Sequence, residues 1–389
     1  MTFAPIPLLL ASRTGRSAYF EASRRHGPRL YTVLHRRVLP ALYGDPEEEY
    51  WALRTGVVLW DVGSEIPIEV SGPDALDFIN WATTRDFTKC PVGGSRYTFL
   101  VDEHGGVVND PVVLRLDEDR FWLMPSDSDL LLWLKALACA ARYRVSVVPV
   151  NTAPLQVRGP KAKDVMRELF GEQILDLGYY RWTRAAIDGI EVIVSRTGFA
   201  GELGYELMPL GVSRVGEAFW KRVYEAGRSY GIRVTGPSQI RRIEAGIFLY
   251  GLEITLDTNP FELSGYQWMV NLRKPVAFVG REALERIAAE GPRRRLAGVE
   301  IAGESLGSYN DGSMPEPFLV VEPGSDQVVG KVTSACYSPA LRKNIGFALL
   351  PVEHAREGTV LAVLTPAGPR QAQVVPKPFL DPEKQLPRQ

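Results

Sequence analysis

Two short segments of this 389-residue chain place polar side chains inside an apolar pattern. In Gly105-Gly106-Val107-Val108-Asn109-Asp110-Pro111, an amide and a carboxylate interrupt a strand-like run. Burying an unpaired charge is expensive, so a carboxylate in such a run needs a reason to be there. Asp110 either caps local backbone or faces a pocket, and both readings stand. The second segment is Arg196-Thr197-Gly198-Phe199-Ala200-Gly201-Glu202-Leu203-Gly204-Tyr205-Glu206. Its glycines let backbone approach a flat ligand closely, and Glu206 has the chemistry to accept paired N–H groups from a heteroaromatic ring. The competing reading is a hairpin loop with an exposed glutamate.

Other chemistries are disfavoured. No Gly-x-Ser-x-Gly elbow and no Walker loop occurs. Gly198, Gly201 and Gly204 are spaced three and three apart, without the Gly-x-Gly-x-x-Gly pattern or a following helix, which argues against a dinucleotide fold. Cys90, Cys139 and Cys336 are odd in number and far apart, and His26, His35, His104 and His354 are equally scattered. Neither a disulfide framework nor a metal site is expected from such spacing. The formal net charge of -1 gives no long-range field to hold nucleic acid or an anionic membrane, so a charged ligand must be caught by a local cluster. No run approaches the ~20 apolar residues that span a bilayer. The apolar stretch within Met1 to Leu10 is short, broken by prolines and without a basic leader, a poor signal peptide, so a cytoplasmic location is expected.

The elements that must position these residues alternate irregularly, in the way of an α+β chain. Hydrophobic residues at 45% and charged ones at 23% describe a globular protein too long for one core, since cores stop growing at roughly 250–300 residues. The spacing predicts a helix through Ala75 to Ala82, a hairpin from Tyr97 to Val101 turning into Val107 to Leu116, and a strand at Phe121 to Met124. Leu130 to Ala141 reads as a strongly apolar helix, with Ser126 or Asp127 as its N-cap. Further helices are expected at Pro160 to Phe170, Val212 to Tyr230 and Pro237 to Ile247, and strands near Arg184 to Ile187 and Ile190 to Ser195. Pro292-Arg293-Arg294-Arg295 reads as a solvated linker. The expected organisation is residues 1–290 as an α+β region of two packed subdomains, followed by residues 291–389 as a β-barrel-like domain.

The glycine-rich segment 196–206 resembles the Arg-Thr-Gly-Tyr-Thr-Gly-Glu-x-Gly-Tyr-Glu signature of the glycine-cleavage T-protein family. Arg54-Thr55-Gly56-Val57-Val58-Leu59-Trp60-Asp61-Val62 is similar to that family's Arg-Thr-x-x-x-x-Phe-Asp-Val, and Gly105 to Asp110 to its Gly-Gly-x-x-Asp-Asp strand. Arg242 to Gly246, Val279 to Leu284 and Val332 to Pro339 match further blocks in order. Within the family, the likeness extends to the dimethylsulfoniopropionate demethylases through Tyr31-Thr32-Val33, Asn109-Asp110-Pro111-Val112 and Ser126 to Trp133. Asn109 and Ser238-Gln239 both depart from the aminomethyltransferase pattern, and Leu34-His35-Arg36-Arg37 departs from the demethylase pattern.

The resemblance implies a multi-domain, ring-like folate-binding fold with an all-β C-terminal domain. It implies a tetrahydrofolate-dependent methyltransferase moving a methyl group from a small onium donor, such as dimethylsulfoniopropionate, to N5 of tetrahydrofolate as co-substrate. Betaines and methyl ethers remain alternative donors. Such a reaction is mostly alignment and needs no metal. Asp110 would stabilise charge developing at N5 and take its proton. Glu206 would hold the pterin, with Tyr97 and Phe199 in stacking or edge contact, and Tyr31 and Trp182 would line a cationic substrate. The expected partners are the small-molecule donor and, beyond it, a second copy in a homodimer. The competing readings are an aminomethyltransferase served by a lipoyl carrier protein, and a non-enzymatic folate-binding protein of iron–sulfur maintenance. The latter carries a Lys-Gly-Cys-Tyr-x-Gly-Gln-Glu segment, and Arg196 to Glu206 contains no cysteine.

Overall fold

Two sheets and a barrel enclose the functional region in a computed structural model that describes residues 11–389; Met1 to Leu10, the stretch weighed as a signal peptide, lies outside the described residues. The first sheet runs in the order Ser146–Pro149, Ile68–Ser71, Arg120–Met124, Val112–Asp117, Ser95–Tyr97. The second runs Trp182–Ile187, Ile190–Ser195, Gly204–Pro209, Leu155–Arg158, Val58–Asp61, Arg233–Val234. Each sheet buries one face under helices, as a two-layer unit must. Helices Ala75–Ala82 and Leu130–Ala141 bring Phe78, Ile79, Leu130 and Leu134 onto Val70, Phe121 and Leu123. Helices Ala162–Phe170 and Val212–Gly227 bring Val165, Met166, Phe219 and Trp220 onto Val157, Val194, Tyr205 and Leu207.

The opposite faces of the two sheets meet in a seam of Leu114, Leu116, Trp122 and Met124 against Trp182, Ile193 and Met208. Beyond it, six strands from Arg294–Ile301 to Gly368–Val375 close into a barrel with its own core of Val299, Val320, Val332, Leu350 and Val363. Leu296, Ile345, Phe347 and Leu349 of the barrel also join a second cluster with Tyr50, Phe99, Val107 and Ile243, which ties the barrel to the chain before it. The fold is therefore α+β with a C-terminal closed six-stranded barrel.

Several local expectations change for physical reasons. The strand expected through Val107 to Leu116 breaks at Asp110-Pro111, because proline donates no ladder hydrogen bond. Val107–Asn109 pairs with Leu100–Val101, whereas Val112–Asp117 pairs with Ser95–Tyr97. The helix expected over Pro237 to Ile247 is only Gln239–Glu244. Ser238 caps it by accepting from the Arg241 N–H, and Gly246 leaves it at a positive φ of 67°. The arginine run is no solvated linker: Arg294 opens the first barrel strand and pairs with Glu262 at 2.9 Å. Ser126 and Asp127 do not cap the following helix, whose N-cap is Asp129 without a side-chain bond. Instead Asp127 accepts from the His35 N–H at 2.8 Å and Asp129 pairs with Arg36 at 3.0 Å, fastening the tip of the Leu30–Leu42 hairpin.

Candidate functional site

The break at Asp110-Pro111 leaves Asp110 outside both ladders, 5% exposed, at the wall of a cavity of about 940 Å³. The Tyr97 hydroxyl donates to its Oδ2 at 2.5 Å, and its Oδ1 has no partner. Burial pushes the Asp110 carboxyl up to about 6, against the opposing influence of the nearby Ser126 hydroxyl, which bonds the Asp110 backbone carbonyl at 3.5 Å, and of the Tyr97 hydrogen bond. Burial, and then the Asp110 charge, drive the Tyr97 phenol well above its ordinary value, so it stays a proton donor. Tyr97 also meets Tyr266 edge-on, with ring centroids 5.9 Å apart. Asn109, beside Asp110, points its amide at the Ser126 carbonyl and the Ser128 hydroxyl and so holds the turn before the apolar helix.

A second wall is a row across the six-stranded sheet. Trp60, Gln156 and Glu206 are paired neighbours on adjacent strands, and all three line the cavity. Glu206 is buried and held at both oxygens: Gln156 donates to Oε1 at 2.7 Å, Thr197 to Oε2 at 2.5 Å, and Arg158 lies 3.6 Å from Oε1. The exposed-loop reading of Glu206 is therefore wrong. Arg158 is itself buried, bonded to Gln156 Oε1 and the Thr197 carbonyl. The loop glycines serve this arginine: a Cβ on Gly198, at φ 147°, would lie 1.1 Å from Arg158 Nη2.

Of the other expected residues, Phe199 and Tyr31 line the cavity. Tyr31 stands on the hairpin, 42% exposed and tilted against Phe20 at 5.8 Å. Trp182 does not join them. It is 9% exposed in the seam between the sheets, donating its indole N–H to the Arg115 carbonyl at 3.0 Å, so the substrate-lining role expected of it is corrected to a packing role. Sequence reasoning missed Glu65, Gln156 and Arg158. Gln156 and Arg158 alternate with Leu155 and Val157, a two-residue period that marks one polar face of a strand. Glu65 follows the Val58–Asp61 strand and lines the cavity, with no side-chain partner among the described residues. Burial pushes it up to about 8, with Glu206 and Asp110 adding and Arg158 opposing.

The N-terminal domain model of the glycine cleavage T-protein (GCVT) matches residues 20–274, and the T-protein C-terminal barrel domain matches residues 294–381. The chain belongs to the glycine cleavage T-protein family. It is 33% identical over 362 residues to dimethylsulfoniopropionate demethylase DmdA of Ruegeria pomeroyi, covering 93% of this chain and 95% of that one. It is 34% identical over 352 residues to an aminomethyltransferase of Symbiobacterium thermophilum, covering 88% and 91%. The fold superposes on glycine cleavage system aminomethyltransferase T from Bartonella henselae with a TM-score of 0.83 at 23% identity, over 95% of this chain and 99% of that one. The protein is an enzyme of this family's kind, the folate-dependent methyl and aminomethyl transferases. Among the described residues, no helix is long and apolar enough to cross a membrane, and no group of His, Cys, Asp and Glu is placed to hold a metal.

Proposed function

We propose that this T-protein relative is a methyltransferase that moves a methyl group from a small onium donor to N5 of tetrahydrofolate. The observation that carries the proposal is the Asp110 carboxyl, buried at the cavity wall with one oxygen held by Tyr97 and the other free. The residues present fit a reduced folate. The cavity is of the size that encloses a small ligand, and Trp60, Gln156 and Glu206 form a flat row beside Asp110. Bound tetrahydrofolate supplies the N5 nucleophile.

Around it, the chain's own groups orient and neutralise. Glu206 has lone pairs left to accept ring N–H groups, and Gln156, Thr197 and Arg158 fix its rotamer. Phe199 and Tyr97, which line the cavity, would supply the ring's stacking or edge contacts. Asp110, fixed by Tyr97, presents Oδ1 to the charge that grows on N5 and accepts its proton. Since an onium is already a good leaving group, this positioning suffices for catalysis. Asn109 favours the methyl-transfer reading over the aminomethyl one, because it supplies an amide to the Ser126 turn where the aminomethyltransferase pattern has an acid.

The test is incubation with tetrahydrofolate and a panel of methylated sulfonium, ammonium and ether compounds. Formation of 5-methyltetrahydrofolate from an onium compound, with no carrier protein added, supports the proposal. Methylenetetrahydrofolate formed only with an aminomethylated lipoyl carrier would establish the aminomethyltransferase reading instead.

A further inference from the structure

Five carboxyls line the cavity, and three of them, Glu65, Asp110 and Glu206, are near enough to act on one another without being equivalent. Glu206 is bound on both oxygens and Asp110 on one. The Glu65 side chain makes no hydrogen bond or ion pair among the described residues, although it stands close enough to Glu206, Arg158 and Asp110 to feel all three charges. Arg158 cannot serve as its counter-ion, because its guanidinium is taken up by Gln156, the Thr197 carbonyl and Glu206. A carboxyl crowded by like charges and bonded to no cation is stabilised as the anion when a positive charge arrives beside it. The cavity presents aromatic surface from Trp60, Tyr97, Phe199, Phe248, Tyr250 and Tyr266, alongside basic residues such as Arg241, Lys384 and Arg388, none of which bonds Glu65. A ring face attracts a cation through its quadrupole, and most strongly where water is excluded.

We infer that Glu65 is the counter-group for the positive centre of the methyl donor and makes the site select a permanent cation over a neutral methyl compound. The inference rests on the methyl-transfer reading and adds to it the residue that sets donor charge. In the reaction, the carbon–sulfur or carbon–nitrogen bond of the onium breaks with its electron pair staying on the heteroatom. The N5 lone pair forms the new bond to carbon, and the N5 proton passes to Asp110 and then to water. The donor's heteroatom is left neutral, so Glu65 loses its electrostatic partner as the product forms, and product release is favoured. Glu65 is a specificity residue here, not the proton acceptor. Before the donor binds, burial, then Glu206 and Asp110, push its carboxyl up to about 8 against the pull of Arg158, so it holds a proton near neutral pH. Capture of a cation therefore expels that proton.

The test is titration calorimetry of the full chain with dimethylsulfoniopropionate and with 4-methylpentanoate, the same shape with carbon in place of the sulfonium. Each is run in two buffers of different ionisation enthalpy, without folate. Both probes carry the same carboxylate and differ only at the sulfonium, so wild type should bind the sulfonium compound at least 10-fold tighter than its carbon isostere and release a proton only with the sulfonium compound. Glu65→Gln should lose that preference while binding tetrahydrofolate like wild type. A Glu65→Gln protein that keeps the preference overturns the inference, as does a wild type that binds both probes alike. If the variant fails to fold, the proton release of wild type decides the matter: release with both probes or with neither is a negative result. Folate-dependent methyl transfer is read separately, so a cation preference without turnover would count against the methyl-transfer reading and not against Glu65.

Discussion

The Tyr97 hydroxyl donates to Asp110 Oδ2 at 2.5 Å while Oδ1 of the same buried carboxyl is left without a partner. A hydrogen bond to an ionised group contributes about 1.5–3 kcal/mol. Tyr97→Phe removes it and should push the Asp110 carboxyl further up. The expected result is methyl transfer slowed about 10-fold near neutral pH, with the acid limb of the rate profile displaced to higher pH and folate affinity little changed. A pH series of single-turnover rates checks this.

Asp110 must be ionised to neutralise charge at N5, so transfer in wild type should fall as pH drops through about 6, and Asp110→Asn should show no such limb. Stability carries the opposite sign. The folded state raises this carboxyl above its ordinary value, so it binds the proton more tightly than the unfolded chain does. The Asp110 contribution to stability is thus fully present below about 4 and is lost as pH rises to about 6. Denaturant melts at pH 5 and pH 7.5 should show Asp110→Asn gaining on wild type as pH rises, by about 1–3 kcal/mol at the upper end.

Glu206 is held by three protein groups as well as facing the cavity. Glu206→Ala strands Gln156, Thr197 and Arg158, and should cost about 3 kcal/mol of stability in the ligand-free protein. Glu206→Gln keeps the shape and should weaken tetrahydrofolate binding about 10-fold with a smaller loss of stability. Calorimetric titration beside thermal melting distinguishes the two variants.

Tyr31, 42% exposed on the hairpin, lines the cavity, whereas Trp182 is buried in the seam. Tyr31→Ala should leave the melting temperature nearly unchanged and raise KM for the donor. Trp182→Ala should cost about 3–5 kcal/mol of stability, with ordinary turnover per folded molecule. Steady-state kinetics with melting curves would reveal an inverted pattern if these assignments were exchanged.

Asp110 was legible in the sequence because a charge inside an apolar strand demands an explanation, and Pro111 supplied the local break. The apolar helix Leu130–Ala141 and the strand Ile190–Ser195 were legible from periodicity alone. The acidic run at 126–129 was misread because its true partners, His35 and Arg36, lie more than 90 residues away, and local chemistry suggested a cap. Trp182 misled for a similar reason: an aromatic residue announces its surface but not its neighbours. Gln156 and Arg158 left only the faint signal of an alternating strand, and Glu65 left none, since the row of residues 60, 156 and 206 is made by sheet pairing across distant segments.

The central claim is that Asp110 acts on the chemical step. It is tested by single-turnover methyl transfer to tetrahydrofolate at pH 7.5 by wild type and Asp110→Asn, with folate affinity and melting measured on the same samples. Stabilisation confined to the transition state lowers the rate and leaves ground-state binding alone. The account predicts transfer slowed at least 100-fold, folate affinity within a few-fold of wild type, and a melting temperature equal to or above it. An Asp110→Asn protein that melts early and still transfers methyl at the wild-type rate would contradict it.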